Sequence, residues 1–175
     1  NVVWASRVNL PFNFDDSQTL DDYGFVYELT GDNPPRVLAM LSGRHLQLFC
    51  HASEFYALPN DAPLTPNTVT IKHTTDSGST RLGVRPVGVD GASLFIRKGG
   101  VEVDEFVFAD TEQAYQADPV SLLSSHLLND AEQIFVKPAT NTAETNQVYV
   151  VNGDGTLACM ATLRRQDVTA WSLLK

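Results

Sequence analysis

The sequence is short of the residues that usually announce chemistry. Two cysteines, Cys50 and Cys159, occur in 175 residues. They lie far apart inside alternating apolar runs, with no partner at zinc or redox spacing, and read as small core residues in preference to a disulfide. Basic residues are scarce: 12 Lys and Arg stand against 21 Asp and Glu, a formal charge of −9. That balance repels polyphosphate and excludes a sequence-independent grip on nucleic acid through a basic patch. No run approaches the roughly 20 apolar residues of a membrane-spanning helix, and no basic-then-apolar leader is present. The Gly-x-Ser-x-Gly elbow, the His-Glu-x-x-His pair, the Walker loop and Cys-x-x-Cys are all missing. None of His45, His51, His73 and His126 sits in a metal or nucleophile constellation.

Turns and alternation are what the chain does have, and an apolar fraction of 43% is enough for a core. From Arg85 to Gln116 two turn pairs, Asp90-Gly91 and Gly99-Gly100, separate three apolar runs, the pattern of a β-meander. Leu94 and Ile96 fall on one face, Ser93, Phe95 and Arg97 on the other. In the third run Val101 and Val103 alternate with Glu102, but the phase shifts at Asp104-Glu105 before Phe106 and Phe108, which implies a bulge. Further strands are expected at Val2 to Val8, Phe25 to Leu29, Arg36 to Leu41 with His45 to Cys50, Glu54 to Leu58 and Thr68 to Thr75. Later ones are expected at Ile134 to Val136, Gln147 to Val151, Leu157 to Leu163 and Val168 to Ser172.

Between them lie turns at Gly31 to Pro35, Ser77 to Ser79 and Arg164 to Asp167, a proline-rich loop from Pro59 to Pro66, and a polar tip at Asn141 to Asn146. In the loop from Asn9 to Asp16, Phe12 and Phe14 are expected to plug the core. Near residues 111–128 the period changes. Asp110 with Gln113 has capping-box spacing and Asp118-Pro119 resembles a cap before a first-turn proline, so short helices are expected at Glu112 to Ala117 and Pro119 to Leu128. Val120, Leu123 and Leu127 share one face of the second.

Meanders recurring at about 40 to 50 residues have the spacing of propeller blades. An ordinary antiparallel sandwich gives much of the same signal. The fold class is therefore mainly β: antiparallel meanders forming part of a β-propeller-like body, with one or two short helices near 111–128. Residues 1–175 read as a single all-β domain, and the entry at Asn1 directly into a strand reads as a piece cut from a longer polypeptide.

Each candidate for chemistry has a plainer reading beside it. His51 with Glu54 makes a dyad across a bend only by a pairing common by chance. Asp104 and Glu105 are adjacent carboxylates, but neighbours in a strand point to opposite faces, and a glycosidase needs separated acids facing one cleft. Asp15, Asp16, Asp21 and Asp22 lack the ligand spacing and terminal glutamate of a calcium loop. Asn152-Gly153-Asp154-Gly155 is what a positive-φ turn demands before it is a cation site. Gly99-Gly100 lacks the following helix that would complete a phosphate cradle. Trp4 and Trp171 lie in alternating strands and read as inter-sheet core in preference to stacking platforms. The expectation is no catalytic residue, no metal site and no cofactor, with any binding residues unknown.

Several stretches are similar to the tail tubular protein B or nozzle proteins of short-tailed bacteriophages and their prophage relatives. They are Val3-Trp4-Ala5-Ser6-Arg7 with Pro11-Phe12-Asn13-Phe14; Leu41 to Phe49 with Glu54-Phe55; Pro63-Leu64-Thr65-Pro66; Val89-Asp90-Gly91-Ala92; Glu105 to Phe108 with Glu112 to Asp118; and Asp154-Gly155-Thr156-Leu157 with Val168 to Ser172. The resemblance implies a propeller-like body and no enzymatic activity. It also implies a ring of identical subunits in the tail of a virion made in the bacterial cytoplasm, joined to other tail subunits around a channel through which the genome leaves. Such proteins are several times longer than this chain. Two other readings stand beside it: a carbohydrate- or receptor-binding module, for which Tyr23, Tyr56, Tyr115 or Tyr149 would gather on one loop face, and a propeller hydrolase.

Overall fold

A computed structural model describes residues 2–31, 35–59, 62–76, 81–166 and 168–174, with Arg165 described by its backbone. The expected turns at Gly31 to Pro35, Ser77 to Ser79 and Arg164 to Asp167 lie wholly or partly outside those residues. The strands are β1 (Val2–Ala5), β2 (Phe25–Glu28), β3 (Val37–Ser42), β4 (Leu46–Cys50), β5 (Glu54–Leu58), β6 (Thr70–Thr75) and β7 (Val87–Val89). They continue as β8 (Ala92–Ile96), β9 (Val103–Ala109), β10 (Ala114–Pro119), β11 (Gln133–Lys137), β12 (Asn146–Val151), β13 (Leu157–Leu163) and β14 (Val168–Leu174). Short 3-10 helices occupy Leu122–Leu127 and Arg164–Gln166. Among the described residues no helix is long and apolar enough to cross a membrane.

All pairings are antiparallel, in four sheets. β1 and β2 form a two-stranded ribbon. The other twelve strands form three four-stranded meanders, each built from consecutive strands in chain order: A (β3 to β6), B (β7 to β10) and C (β11 to β14). Val37, Val87 and Gln133, where the meanders begin, are 50 and 46 residues apart. The sheets stack in series. Val3 and Tyr27 of the ribbon pack on Leu48, Cys50 and Phe55 of A. Phe49 and Tyr56 on A's other face meet Phe95, Phe106 and Tyr115 of B. Leu94, Ile96 and Val103 on B's far face meet Ile134, Val148, Val150 and Met160 of C. Within these layers β7 lies beside β11 and β6 beside β10, first strand against first and last against last.

That order explains the phase shift in the third run of the central meander. No bulge is present: Ile96 to Ser93 pair with Val103 to Phe106 without a break, and β10 follows β9 in continuous register. β9 is covered on both faces, so Val103 serves the B–C layer while Phe106 and Phe108 serve the A–B layer. Alternation predicts one buried face; here two buried faces put apolar side chains at odd and even positions alike. Leu94 and Ile96 separate from Ser93 and Phe95 as expected.

The two turns differ in kind. Asp90 (φ 48°) and Gly91 (φ 80°) form a two-residue loop between Val89 and Ala92, the positive-φ pair that the hairpin requires. Gly99-Gly100 sits instead in a longer loop closed by the Arg97 amide on the Glu102 carbonyl at 2.9 Å. Gly100, at φ 68°, accepts the Ala131 amide at 2.8 Å, so B's second hairpin docks on the segment that enters C.

The first expected helix is a strand. Ala114–Pro119 pairs with β9 along its length, and the Gln113 side chain donates to the Asp110 carbonyl instead of capping an amide. Burial of Tyr115 against Phe106, centroids 4.6 Å apart, imposes period two where capping signals suggested period 3.6. The second expected helix shrinks to Leu122–Leu127 and buries none of its residues: Leu123 is 93% exposed. Val120 packs on the B–C core, but from the end of β10. The loop aromatics are corrected too. Phe12 is 95% exposed and Phe14 also faces outward, because the Asn9 to Asp16 loop closes on itself through the Arg7 amide to the Asn13 carbonyl and the Asn13 amide to the Leu10 carbonyl. Trp4 lies on the ribbon's outer face, 58% exposed, whereas Trp171 is half-buried on the B–C core with its indole N–H donating to the Val120 carbonyl at 3.1 Å.

Candidate functional site

Polar groups concentrate in the seams between the meanders. In the A–B seam the bend before β4 supplies His45, β4 supplies Gln47, β5 supplies Glu54, β8 supplies Ser93, β9 supplies Asp104 and β10 supplies Tyr115, all of them buried. Ser93 Oγ donates to Gln47 Oε1 at 2.5 Å, and His45 Nδ1 shares a hydrogen bond with the Tyr115 hydroxyl at 3.1 Å. Burial, helped by the nearby Arg44 charge, lowers the His45 pKa. Thr75 Oγ1 donates to Glu54 Oε2 at 2.7 Å.

Asp104 has no exposed surface, and its Oδ2 accepts from Arg97 Nε at 2.7 Å. Arg97 also holds Glu102 at 2.8 Å. Burial pushes the Asp104 carboxyl up to about 6; Arg97 pulls it down, while Glu102 and Glu54 add to the rise. For Arg97, burial acts to lower the pKa, and the carboxylates of Asp104 and Glu102 outweigh it, so its charge is held more firmly than usual. An acid titrating near neutrality is the right kind of group for proton transfer. Here it is sealed between two sheets and tied to an arginine, which makes it a structural charge in a place no substrate reaches.

The sequence candidates do not converge. Glu54 is buried, while His51 stays at the surface with its Nε2 accepting from Lys98 Nζ at 3.1 Å. Asp104 faces A, whereas Glu105, on the other face of β9, pairs with Arg164 across the B–C seam. Of the acidic loop residues, Asp22 and Asp15 flank Arg7 at 2.8 and 3.6 Å, and Asp21 accepts from Asn67 at 3.1 Å. The Asn152 to Gly155 segment is a turn: the Asn152 amide bonds the Thr156 carbonyl at 2.9 Å, and Asp154 accepts from both the amide and the hydroxyl of Thr156. Gly99-Gly100 closes the loop already described. Among the described residues, no group of three or more His, Cys, Asp or Glu side chains is placed to hold a metal ion.

Cys50 and Cys159 are free and buried, and burial, reinforced by Glu54, pushes the Cys50 thiol up to about 12. The four tyrosines scatter: Tyr56 and Tyr115 are core rings 5.1 Å apart, Tyr23 lies under the Arg7 guanidinium, and Tyr149 stacks on Phe135 on C's outer face.

A cleft of about 180 Å³ opens at the edge of the B–C seam, between Asp90 and Glu105 of B and Thr162, Arg164 and Thr169 of C. A shallower hollow of about 590 Å³, which shares Asp90 and Arg164, adjoins it. Its charged groups are already engaged: Arg164 with Glu105, and Asp90 with the Asn146 side-chain amide at 2.7 Å. These pairings are side-chain bridges between sheets that close the ends of an apolar layer. Sequence reasoning missed all of them, together with Gln47–Ser93, because the partners lie 46 or more residues apart and no local spacing marks them. No family model and no curated protein matches the chain.

Proposed function

We propose that this chain is part of a structural tail protein of a short-tailed bacteriophage or prophage, a tail-tube or nozzle component whose three meanders are successive blades of a β-propeller-like body. The observation that carries the reading is the stacking order: four consecutive strands per sheet, a new sheet every 50 and 46 residues, and first strand beside first, last beside last. Blades in a propeller are ordered in that way, since one four-stranded unit cannot cover its own faces and must lie against the next. A sandwich has two layers; here three meanders and a ribbon follow one another. The end-to-end resemblance in sequence supports the same reading.

In the full-length protein such a body belongs to a ring of identical subunits, bound to other tail subunits, around the conduit for genome ejection. An acidic chain suits that place. Each basic contact to phosphate adds affinity through counterion release and slows passage, whereas a net charge of −9 leaves the duplex free to slide without specific binding. Buried carboxylates and an engaged arginine in the seams serve shape, and no catalytic role is assigned. Of the tyrosines that the carbohydrate-binding reading would gather on one loop face, Tyr56 and Tyr115 are core residues.

Immunogold labelling of particles from the source strain, using antibody raised against residues 1–175, is expected to place gold at the tail, with the chain's peptides found in purified virions. Particles free of these peptides, or label on the capsid alone, would refute the reading. Specific retention on a glycan array would favour the receptor-binding alternative.

A further inference from the structure

The sequence holds one Asn-Gly pair, Asn152-Gly153. In an open chain such a pair reacts with itself, because glycine has no side chain to keep its amide nitrogen away from the preceding side-chain carbonyl. The Gly153 nitrogen attacks Cγ of Asn152, the bond from Cγ to Nδ2 breaks, ammonia leaves, and a succinimide ring closes. Water then opens the ring at either carbonyl and gives aspartate or isoaspartate; nothing is oxidised or reduced. In the folded chain every group this reaction uses is occupied. Asn152 is 2% exposed. Its Nδ2 donates to the Leu127 carbonyl at 3.0 Å and to Thr156 Oγ1 at 2.8 Å, and its Oδ1 accepts the Asn129 amide at 3.0 Å. The Gly153 amide donates to the carbonyls of Asn129 and Asp130 at 3.0 and 3.1 Å, so the proton whose loss makes that nitrogen a nucleophile is held by two acceptors. These bonds seat the turn between β12 and β13 on residues 127–131, the segment that leads from B into C. The same segment meets B's second hairpin, where the Ala131 amide donates to the Gly100 carbonyl at 2.8 Å. One side chain therefore ties C's turn to the joint between two meanders.

We propose that Asn152-Gly153 is a conformation-gated deamidation site: inert while the turn is seated on residues 127–131, reactive when the turn lifts, and unable to reseat once converted. The last step follows from the hydrogen bonds. An aspartate has no Nδ2 hydrogens, so its carboxylate would face the Leu127 carbonyl with no proton between them, in a buried place. Thr156 cannot supply that proton, because its hydroxyl already donates to Asp154 Oδ1 at 2.6 Å. The Asp154 carboxylate is a second negative charge beside the first. Isoaspartate adds one carbon to the backbone of the turn as well. An opening that lasts long enough to react is thus recorded in the covalent chain, and it leaves the B–C joint looser than before. The site stands or falls independently of the tail reading.

Residues 1–175 are incubated at mildly alkaline pH in native buffer and in guanidinium chloride, and peptide mapping follows conversion at position 152. The native rate is expected to be lower than the denatured rate by roughly a hundred-fold or more, the protection that a local opening equilibrium confers. Thr156→Val removes one acceptor of Asn152 Nδ2 and leaves the reacting atoms in place. It is expected to raise the native rate roughly five-fold, as the loss of one hydrogen bond does, with the denatured rate unchanged. Hydrogen exchange then reads the seating. The Gly153 amide is expected to exchange slowly in the parent, and fast both in the converted protein returned to native buffer and in Asn152→Asp, while the amides of β8 stay protected in all three. Equal native and denatured rates would overturn the proposal, as would a native rate unmoved by Thr156→Val or a Gly153 amide still protected in the converted protein. The rate comparison needs no variant, so it decides the gating even if Asn152→Asp fails to fold.

Discussion

Asp104 offers the sharpest test of how the A–B seam is held. Its carboxyl is raised from 3.8 to about 6, chiefly by burial. Below pH 3.8 the folded and unfolded chains both carry it protonated, and it is neutral in the balance. Between 3.8 and about 6 the unfolded chain ionises first, so each pH unit costs the folded state about 1.4 kcal/mol. Above 6 both forms are ionised and a penalty of about 3 kcal/mol remains. Asp104 thus favours the fold in acid, and that contribution is lost as pH rises through its folded pKa.

Asp104→Asn keeps the volume and an acceptor for Arg97, which also retains Glu102. Compared at pH 4.5 and 7.5, the stability of the variant relative to the parent is expected to rise by about 2 kcal/mol. With a urea slope of about 2 kcal/mol/M, that is a relative shift in unfolding midpoint of about 1 M. Using the difference between the two proteins cancels the exposed carboxylates of Asp15, Glu144 and Asp154, whose lowered values act in the opposite sense. A difference flat across this range, or one falling with pH, would refute the reasoning and mean that Arg97 outweighs burial.

Phe95→Ala and Phe106→Ala, which empty fully buried positions in the A–B layer, are expected to cost about 3 to 5 kcal/mol in urea unfolding, while Phe12→Ala stays within about 0.5 kcal/mol. Gly91→Ala meets no atom within 4 Å and is expected to cost about 1 kcal/mol from its positive φ alone. Gly100→Ala is expected to cost clearly more, because its added carbon also crowds the backbone of Asp130 and Ala131. Ellman's reagent is expected to leave Cys50 unmodified in the native protein and to label it on unfolding, since the thiol is buried and its pKa is raised to about 12. Rapid native labelling would contradict that burial.

Strands with one clear local signal were legible in the sequence. Asp90-Gly91 and Asn152 to Gly155 announced their hairpins because positive φ restricts which residues are tolerated. Leu46 to Cys50 and Glu54 to Leu58 were visible by composition. What was hidden depends on which sheet lies against which. The change of phase at Asp104 looked like an inserted residue because nothing local says that β9 is covered twice. Ala114–Pro119 looked helical because Asp110 and Gln113 imitate a cap, and only Phe106 and Phe108 across the ladder turn Tyr115 and Ala117 into a strand. Phe12 and Trp4 were misplaced because hydrophobicity records a preference for burial without recording whether a partner surface is within reach. The seam pairs Gln47–Ser93 and Glu105–Arg164 join residues remote in sequence, so spacing carried no trace of them.

Because β9 serves as a wall shared by two rooms, a change in its reading frame is felt on both sides at once. Insert one residue between Asp104 and Glu105, and the phenylalanines that fill the first layer turn into the second, while Glu105 is driven toward the rings of Tyr115 and Phe49. An equal slip in β14 would disturb one packed layer and one open surface. Tolerance for insertions should therefore fall toward the middle of the stack and recover at its ends, a gradient set by neighbours and invisible in the composition of either strand.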